Sequence, residues 1–110
     1  MSNERYISGR LAEYRLRDNL RALGYTVLRT AGSHGAFDLI AVHPKEPVRL
    51  IQVKSGMRLT ETTVNKRLKE FGESPPLSYS DRGIAQSGSY TQELHIYNRT
   101  TRKWHSISVG

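Results

Sequence analysis

The sequence contains no cysteine, so neither disulfides nor thiolate metal ligands are available to it. A zinc site would have to be built from the four histidines and carboxylates, yet His34, His43, His95 and His105 are scattered without the usual ligand spacing. A reducing cytosol suits such a chain, and cytoplasmic residence (host cytoplasm for a viral protein) is the expectation. There is no apolar run of about 18 residues, so no membrane-spanning helix is expected. The opening Met-Ser-Asn-Glu-Arg lacks the apolar stretch of a secretory signal. At 110 residues, 36% of them hydrophobic, the chain suffices for one domain with a single modest core.

Acidic residues are also scarce. Ten Asp and Glu stand against seventeen Lys and Arg, a net charge of +7 with a pI near 10.1. That excess on a small domain favours a polyanionic partner through counterion release, nucleic acid first. The same charge also suits plain solubility or an anionic membrane surface.

Helical spacing of Ala12, Leu16, Leu20 and Leu23 predicts a helix from about Ile7 to Leu23, stopped by Gly24. A strand is expected at Thr26 to Arg29, then a small-residue loop, Ala31-Gly32-Ser33-His34-Gly35-Ala36. Strands from Phe37 to Val42 and from Val48 to Lys54 flank a turn-rich His43 to Pro47 and predict an antiparallel hairpin. A second helix is expected from Glu61 to Phe71, ended by Gly72 and Pro75-Pro76. From Glu73 to Thr91 the chain is polar and aperiodic. Strands at Glu93 to Asn98 and Lys103 to Val109 close the chain, joined by a turn at Arg99 to Arg102. This order predicts an α/β domain with a mixed sheet flanked by helices.

Strand alternation puts Gln52 and Lys54 on one face and Ile51 and Val53 on the other. Across the hairpin, Asp38 at the start of one strand falls near Gln52 and Lys54 at the end of the other. A carboxylate, an amide carbonyl and peptide carbonyls form the all-oxygen donor set that a hard cation such as Mg²⁺ takes. Such a cation polarises a phosphate and acidifies a bound water, and Lys54 is suited to orienting that water or to stabilising charge on phosphorus. Glu13 borders the apolar side of the first helix. Spacing alone leaves two readings of it, an acid facing the site or a partner for Arg17 one turn later.

Gly9 and Glu13, Arg29, Gly32-Ser33, Phe37-Asp38-Leu39-Ile40-Ala41 and Gln52-Val53-Lys54-Ser55, in that order, resemble the archaeal-type Holliday junction resolvases, over about residues 6 to 56. These belong to the restriction-endonuclease-like superfamily, whose motif is an Asp followed by Glu-x-Lys. The resemblance implies a restriction-endonuclease-like core with a central mixed five-stranded sheet. It implies a homodimer that recognises four-way junctions by shape and makes paired cuts dependent on Mg²⁺, with Mn²⁺ as a substitute. Asp38 would be the central metal ligand, joined by Glu13, Gln52 and the Val53 carbonyl. Lys54 would be the catalytic lysine, and Glu13 a helix-borne acid acting on the metal or its water. Arg29 would contact a phosphate near the scissile bond and Ser33 would approach the DNA from its loop. Arg10, Arg15, Arg17, His34 and Ser55 complete the expected DNA contacts.

Four features depart from the family pattern. Gln52 replaces the motif's glutamate, leaving the site one negative charge poorer. Tyr14 stands where the family has an arginine, with Arg15 and Arg17 nearby. The Ser33 loop is lengthened at His34 and Gly35, and the segment 73–91 is longer and more polar. Two other readings stay open: another nuclease of the superfamily (repair, restriction or nicking), and a catalytically silent DNA-binding module.

Elsewhere, Arg5, Arg10, Arg17, Arg21, Lys66, Arg67 and Lys69 are either a phosphate-binding surface or a solvated helix face. Trp104 reads as core or dimer interface in preference to a stacking platform. Tyr79, Tyr90 and Arg82 are candidates for stacking on unpaired bases, or for ordering against a partner subunit.

Overall fold

The computed structural model describes residues 2–30, 37–76 and 90–109. Its elements are α1 (Ser2–Ala22), β1 (Thr26–Arg29), β2 (Leu39–His43), β3 (Glu46–Gly56), α2 (Glu61–Glu73), β4 (Tyr90–Asn98) and β5 (Lys103–Val109). Ser33, His34, Tyr79 and Arg82 lie outside the described residues. The five strands form one mixed sheet in the order β1-β2-β3-β4-β5. Every neighbouring pair is antiparallel except β3 and β4, which run parallel and are joined through α2.

Each helix covers one face of the sheet. Ala12, Leu16 and Leu20 of α1 pack with Val27, Leu39, Ala41, Ile51, Val53 and Tyr97. On the opposite face Val64 and Phe71 of α2 pack with Phe37, Leu50, Leu94 and Ile96. The central strand β3 therefore buries both sides, Ile51 and Val53 beneath α1 and Leu50 beneath α2, as strand alternation requires.

The helix ends explain two departures from the sequence reading. Gly24 (φ 94°) closes α1 in a Schellman motif, its N–H donating to the Arg21 carbonyl while the Tyr25 N–H donates to that of Leu20. Leu23 falls past the last helical residue and is 67% exposed, so it is not part of the core stripe. The helix begins at Ser2, earlier than Ile7, because the polar residues before Ile7 carry no apolar period to reveal it. Gly72, expected as a terminator, lies inside α2. A Cβ there would come within 2.9 Å of Ile107 Cδ1, so this glycine lets the helix approach β5 closely. The true ends of α2 are Thr60, whose side chain accepts from the Thr63 N–H, and Ser74, whose N–H donates to the Glu70 carbonyl.

Strand boundaries differ as well. The β2–β3 turn is tighter than expected, with His43 paired to Glu46 and a bulge between Ala41 and His43. β4 starts at Tyr90, not Glu93, because Tyr90, Thr91 and Gln92 pair with Val48, Arg49 and Leu50. Tyr90 is thus a half-buried strand residue against the α2-side core. Trp104 packs against Tyr97 at a ring-centroid distance of 4.9 Å, on the α1 side.

Candidate active site

Asp38 owes its position to an interruption of the β2–β3 ladder. Its own N–H donates to the Ile51 carbonyl, but the Val53 N–H donates to the Asp38 carboxylate, at 2.8 Å, in place of a backbone carbonyl. The Phe37 carbonyl is engaged elsewhere, accepting from the Thr30 hydroxyl at 2.7 Å. This is why β2 begins at Leu39 and not at Phe37. The carboxylate is pinned in the plane of the sheet, beside the peptide that follows Gln52.

Glu13 approaches the same place from α1. Its carboxylate is 3.4 Å from the Arg29 guanidinium, so the open question of its partner resolves to Arg29. Arg17 pairs instead with Asp18 at 3.1 Å and lies over the Tyr14 ring. The Glu13 carboxyl is held above its ordinary range, first by burial and then by the nearby charge of Asp38, with Arg29 and Arg10 opposing the rise. The Asp38 charge is thus near enough to oppose ionisation of Glu13. A cation between them relieves that repulsion.

Gln52 and Lys54 lie on the other side of β3, as alternation predicts. They line an open cleft of 700 Å³ with Arg67, Glu70 and Phe71 of α2, Ser74, Pro76 and Leu94. Lys54 is exposed and Gln52 half-buried. Asp38 therefore sits between an acid on the α1 side and an amide and an ammonium on the α2 side, and its carboxylate meets β3 at the Val53 amide. The Val53 side chain is buried in the α1-side core, which leaves its carbonyl as the group it can offer a cation.

The remaining expected DNA contacts are dispersed. Arg10 is half-buried near Glu13. Arg15 donates to the Tyr97 hydroxyl at 2.9 Å. The Ser55 hydroxyl oxygen is buried without a hydrogen-bond partner. Lys66, Arg67 and Lys69 are exposed, and Lys69 is 4.0 Å from Glu73. Among the described residues no three histidines, aspartates or glutamates cluster as metal ligands. The donors present are two carboxylates, one amide and a backbone carbonyl, all oxygen, and they fit a hard divalent cation better than zinc.

One charged group was not foreseen. Glu93, 3% exposed, accepts from both Arg49 nitrogens at 2.7 Å and from the Thr91 hydroxyl at 2.7 Å, and meets His95 Nε2 at 2.8 Å. Burial alone would raise its pKa, but the hydrogen bonds of His95, Arg49 and Thr91 outweigh it and hold the carboxyl at about 2. With every carboxylate oxygen engaged, this is a structural ion pair under the sheet. No sequence signal joins residues 44 apart.

An α/β core is thus the fold found, a mixed five-stranded sheet between two helices. It is similar to the solved structure of Hjc, a Holliday junction resolvase from the archaeal hyperthermophile Archaeoglobus fulgidus, with a TM-score of 0.50. The match covers 90% of this chain and 70% of that one at 18% identity, a likeness of fold. No protein-family model matches the chain, and no curated protein does. No helix among the described residues is long and apolar enough to cross a membrane.

Proposed function

We propose that this protein is a divalent-metal-dependent DNA endonuclease that resolves four-way junctions as a homodimer. The observation that carries the reading is Asp38, whose carboxylate accepts from the Val53 N–H between Gln52 and Lys54 and whose charge acts on Glu13 of α1. The similarity in fold to a junction resolvase and the net charge of +7 support it.

Asp38, Glu13, the Gln52 amide oxygen and the Val53 carbonyl would hold Mg²⁺ or Mn²⁺. When bound, that ion supplies Lewis-acid polarisation of the phosphate and a more acidic water. Lys54, exposed at the mouth of its cleft, orients the attacking water or stabilises negative charge gathering on the phosphate oxygens. Arg29 opposes the rise in the Glu13 pKa and would exchange that partner for a DNA phosphate. A two-fold dimer matches one small site per subunit to the paired strands of a junction.

The presence of Gln52 in place of an acid, with no third carboxylate beside it among the described residues, favours a second reading, a DNA-binding module without cleavage. One experiment separates these. The protein is incubated with a synthetic four-way junction and with a matched linear duplex, with and without Mg²⁺ or Mn²⁺. Paired symmetric cuts in the junction alone are expected. Equal cleavage of both substrates would point to a broader nuclease, and binding without cutting under every metal condition would sink the enzymatic reading.

A further inference from the structure

Two residues from the acid of α1, the helix turns a second charged side chain toward the other half of the sheet. Arg15 reaches Tyr97 on β4, whereas Glu13 reaches Arg29 on β1. Beside Arg15 lies a cleft of 380 Å³ lined by Leu11, Ala12, Arg15, Tyr97, Arg99 and Arg102. Three arginines thus line the cleft around a small apolar floor, with no acidic residue among the described residues of the lining.

The turn that supplies two of these arginines is rigid. Asn98, 4% exposed, accepts from the N–H groups of Thr100 and Thr101 and donates to the Leu59 carbonyl. The Arg99 N–H donates to the Gly56 carbonyl, two residues beyond Lys54. Arg58, just past the end of β3, donates its N–H to Thr100. Among the described residues only Arg58 (φ 55°) and Arg102 (φ 59°) adopt a left-handed backbone without being glycine, and they flank this turn from either side. Glycine or asparagine would sit there with less strain. An arginine in such a place motivates a search for a use of its side chain, and of the two it is Arg102 that lines the cleft.

We infer that the Arg15–Arg99–Arg102 cleft is a second phosphate-binding site, which holds the DNA backbone of an arm beyond the scissile position. It rests on the reading of DNA as the partner given above, and adds residues 99 and 102 to the binding surface. Planar guanidinium forks suit phosphate oxygens, and the cleft and the acid pair flank the same stretch of α1 across β3. The contact is to the backbone, so it positions DNA and carries no sequence preference.

The test uses Arg102→Gly, Arg102→Lys and Arg99→Ala in the full chain. Affinity for a fluorescein-labelled four-way junction and a linear duplex is read by anisotropy in EDTA across a salt series, and thermal unfolding is followed in parallel. Arg102→Gly should unfold at a higher temperature than wild type yet bind DNA about fivefold more weakly. Its slope of log affinity against log salt should be shallower by about 1. Arg99→Ala should weaken binding similarly, and Arg102→Lys should retain most of the affinity. Wild-type affinity and salt slope in both Arg102→Gly and Arg99→Ala would overturn the inference while leaving the nuclease reading intact, and would make an acidic protein surface the better occupant. Failure of the wild-type protein to bind any DNA would overturn both.

Discussion

The Asp38 carboxylate takes the Val53 backbone N–H at 2.8 Å, standing in for the main-chain acceptor that β2 withholds. One side chain thereby completes the sheet, and under the proposed function its second oxygen would serve the metal. The two roles can be separated by substitution. Asp38→Asn keeps a carbonyl oxygen for Val53 and removes the charge, so cleavage should be lost with stability within about 1 kcal/mol of wild type. Asp38→Ala leaves the Val53 N–H unsatisfied and should cost about 1–3 kcal/mol as well. Urea unfolding beside a junction-cleavage assay checks both. Cleavage at the wild-type rate by Asp38→Asn would remove this residue from the site.

Lys54 is exposed and faces the cleft shared with α2. Lys54→Ala should fold normally and bind junctions nearly as well as wild type, while single-turnover cleavage falls by about 10²-fold or more. A parallel loss of affinity would show that Lys54 acts chiefly as a DNA contact.

Gln52 is the one neutral side chain of the proposed donor set. Gln52→Glu restores a third carboxylate and should lower the Mg²⁺ concentration needed for half-maximal cleavage, and also tighten Mn²⁺ binding measured by calorimetry without DNA. An unchanged or higher metal requirement would refute the charge argument.

Glu93 gives the fold an acid-sensitive clasp. Its folded pKa of about 2 lies below the ordinary 4.5, so its stabilisation is full above pH 4.5 and disappears as the pH falls toward 2. That depression corresponds to about 3 kcal/mol. Glu93→Gln should therefore be less stable than wild type by about that amount at pH 7, and the gap should narrow steadily below pH 4.5. Urea unfolding of both proteins at pH 7 and pH 3 tests it; a gap that stays constant would mean that the ion pair is not the source.

Local chemistry was legible in the sequence and convergence was not. Gly24 could be read as a helix stop because the left-handed cap is a property of one residue. Gly72 could not be read correctly, because its reason is Ile107, a contact made only when the helix lies on β5. The hairpin that sets Asp38 beside β3 followed from alternation and a short turn, whereas the Glu13–Arg29 pair did not, since helical spacing offers only partners one turn away. Arg49 with Glu93, and Arg15 with the turn after β4, depend on β4 entering parallel to β3, which no local pattern announces. The arginine at 102 left a faint trace: it occupies a turn position where a glycine or asparagine would have been unremarkable.

Strand order in the sheet repeats chain order, and this divides the surface by age of assembly. Glu13 and Arg29 are 16 residues apart and Asp38 and Val53 are 15, but Arg15 and Tyr97 are 82. Short loops close at lower entropic cost than long ones, so the acid edge can be organised by α1 and the first three strands alone. The arginine cleft exists only once β4 and β5 have docked. A chain lacking β4 and β5 would keep Glu13 and Asp38 without the arginine cleft, and on the reading proposed above it would lose its second hold on DNA.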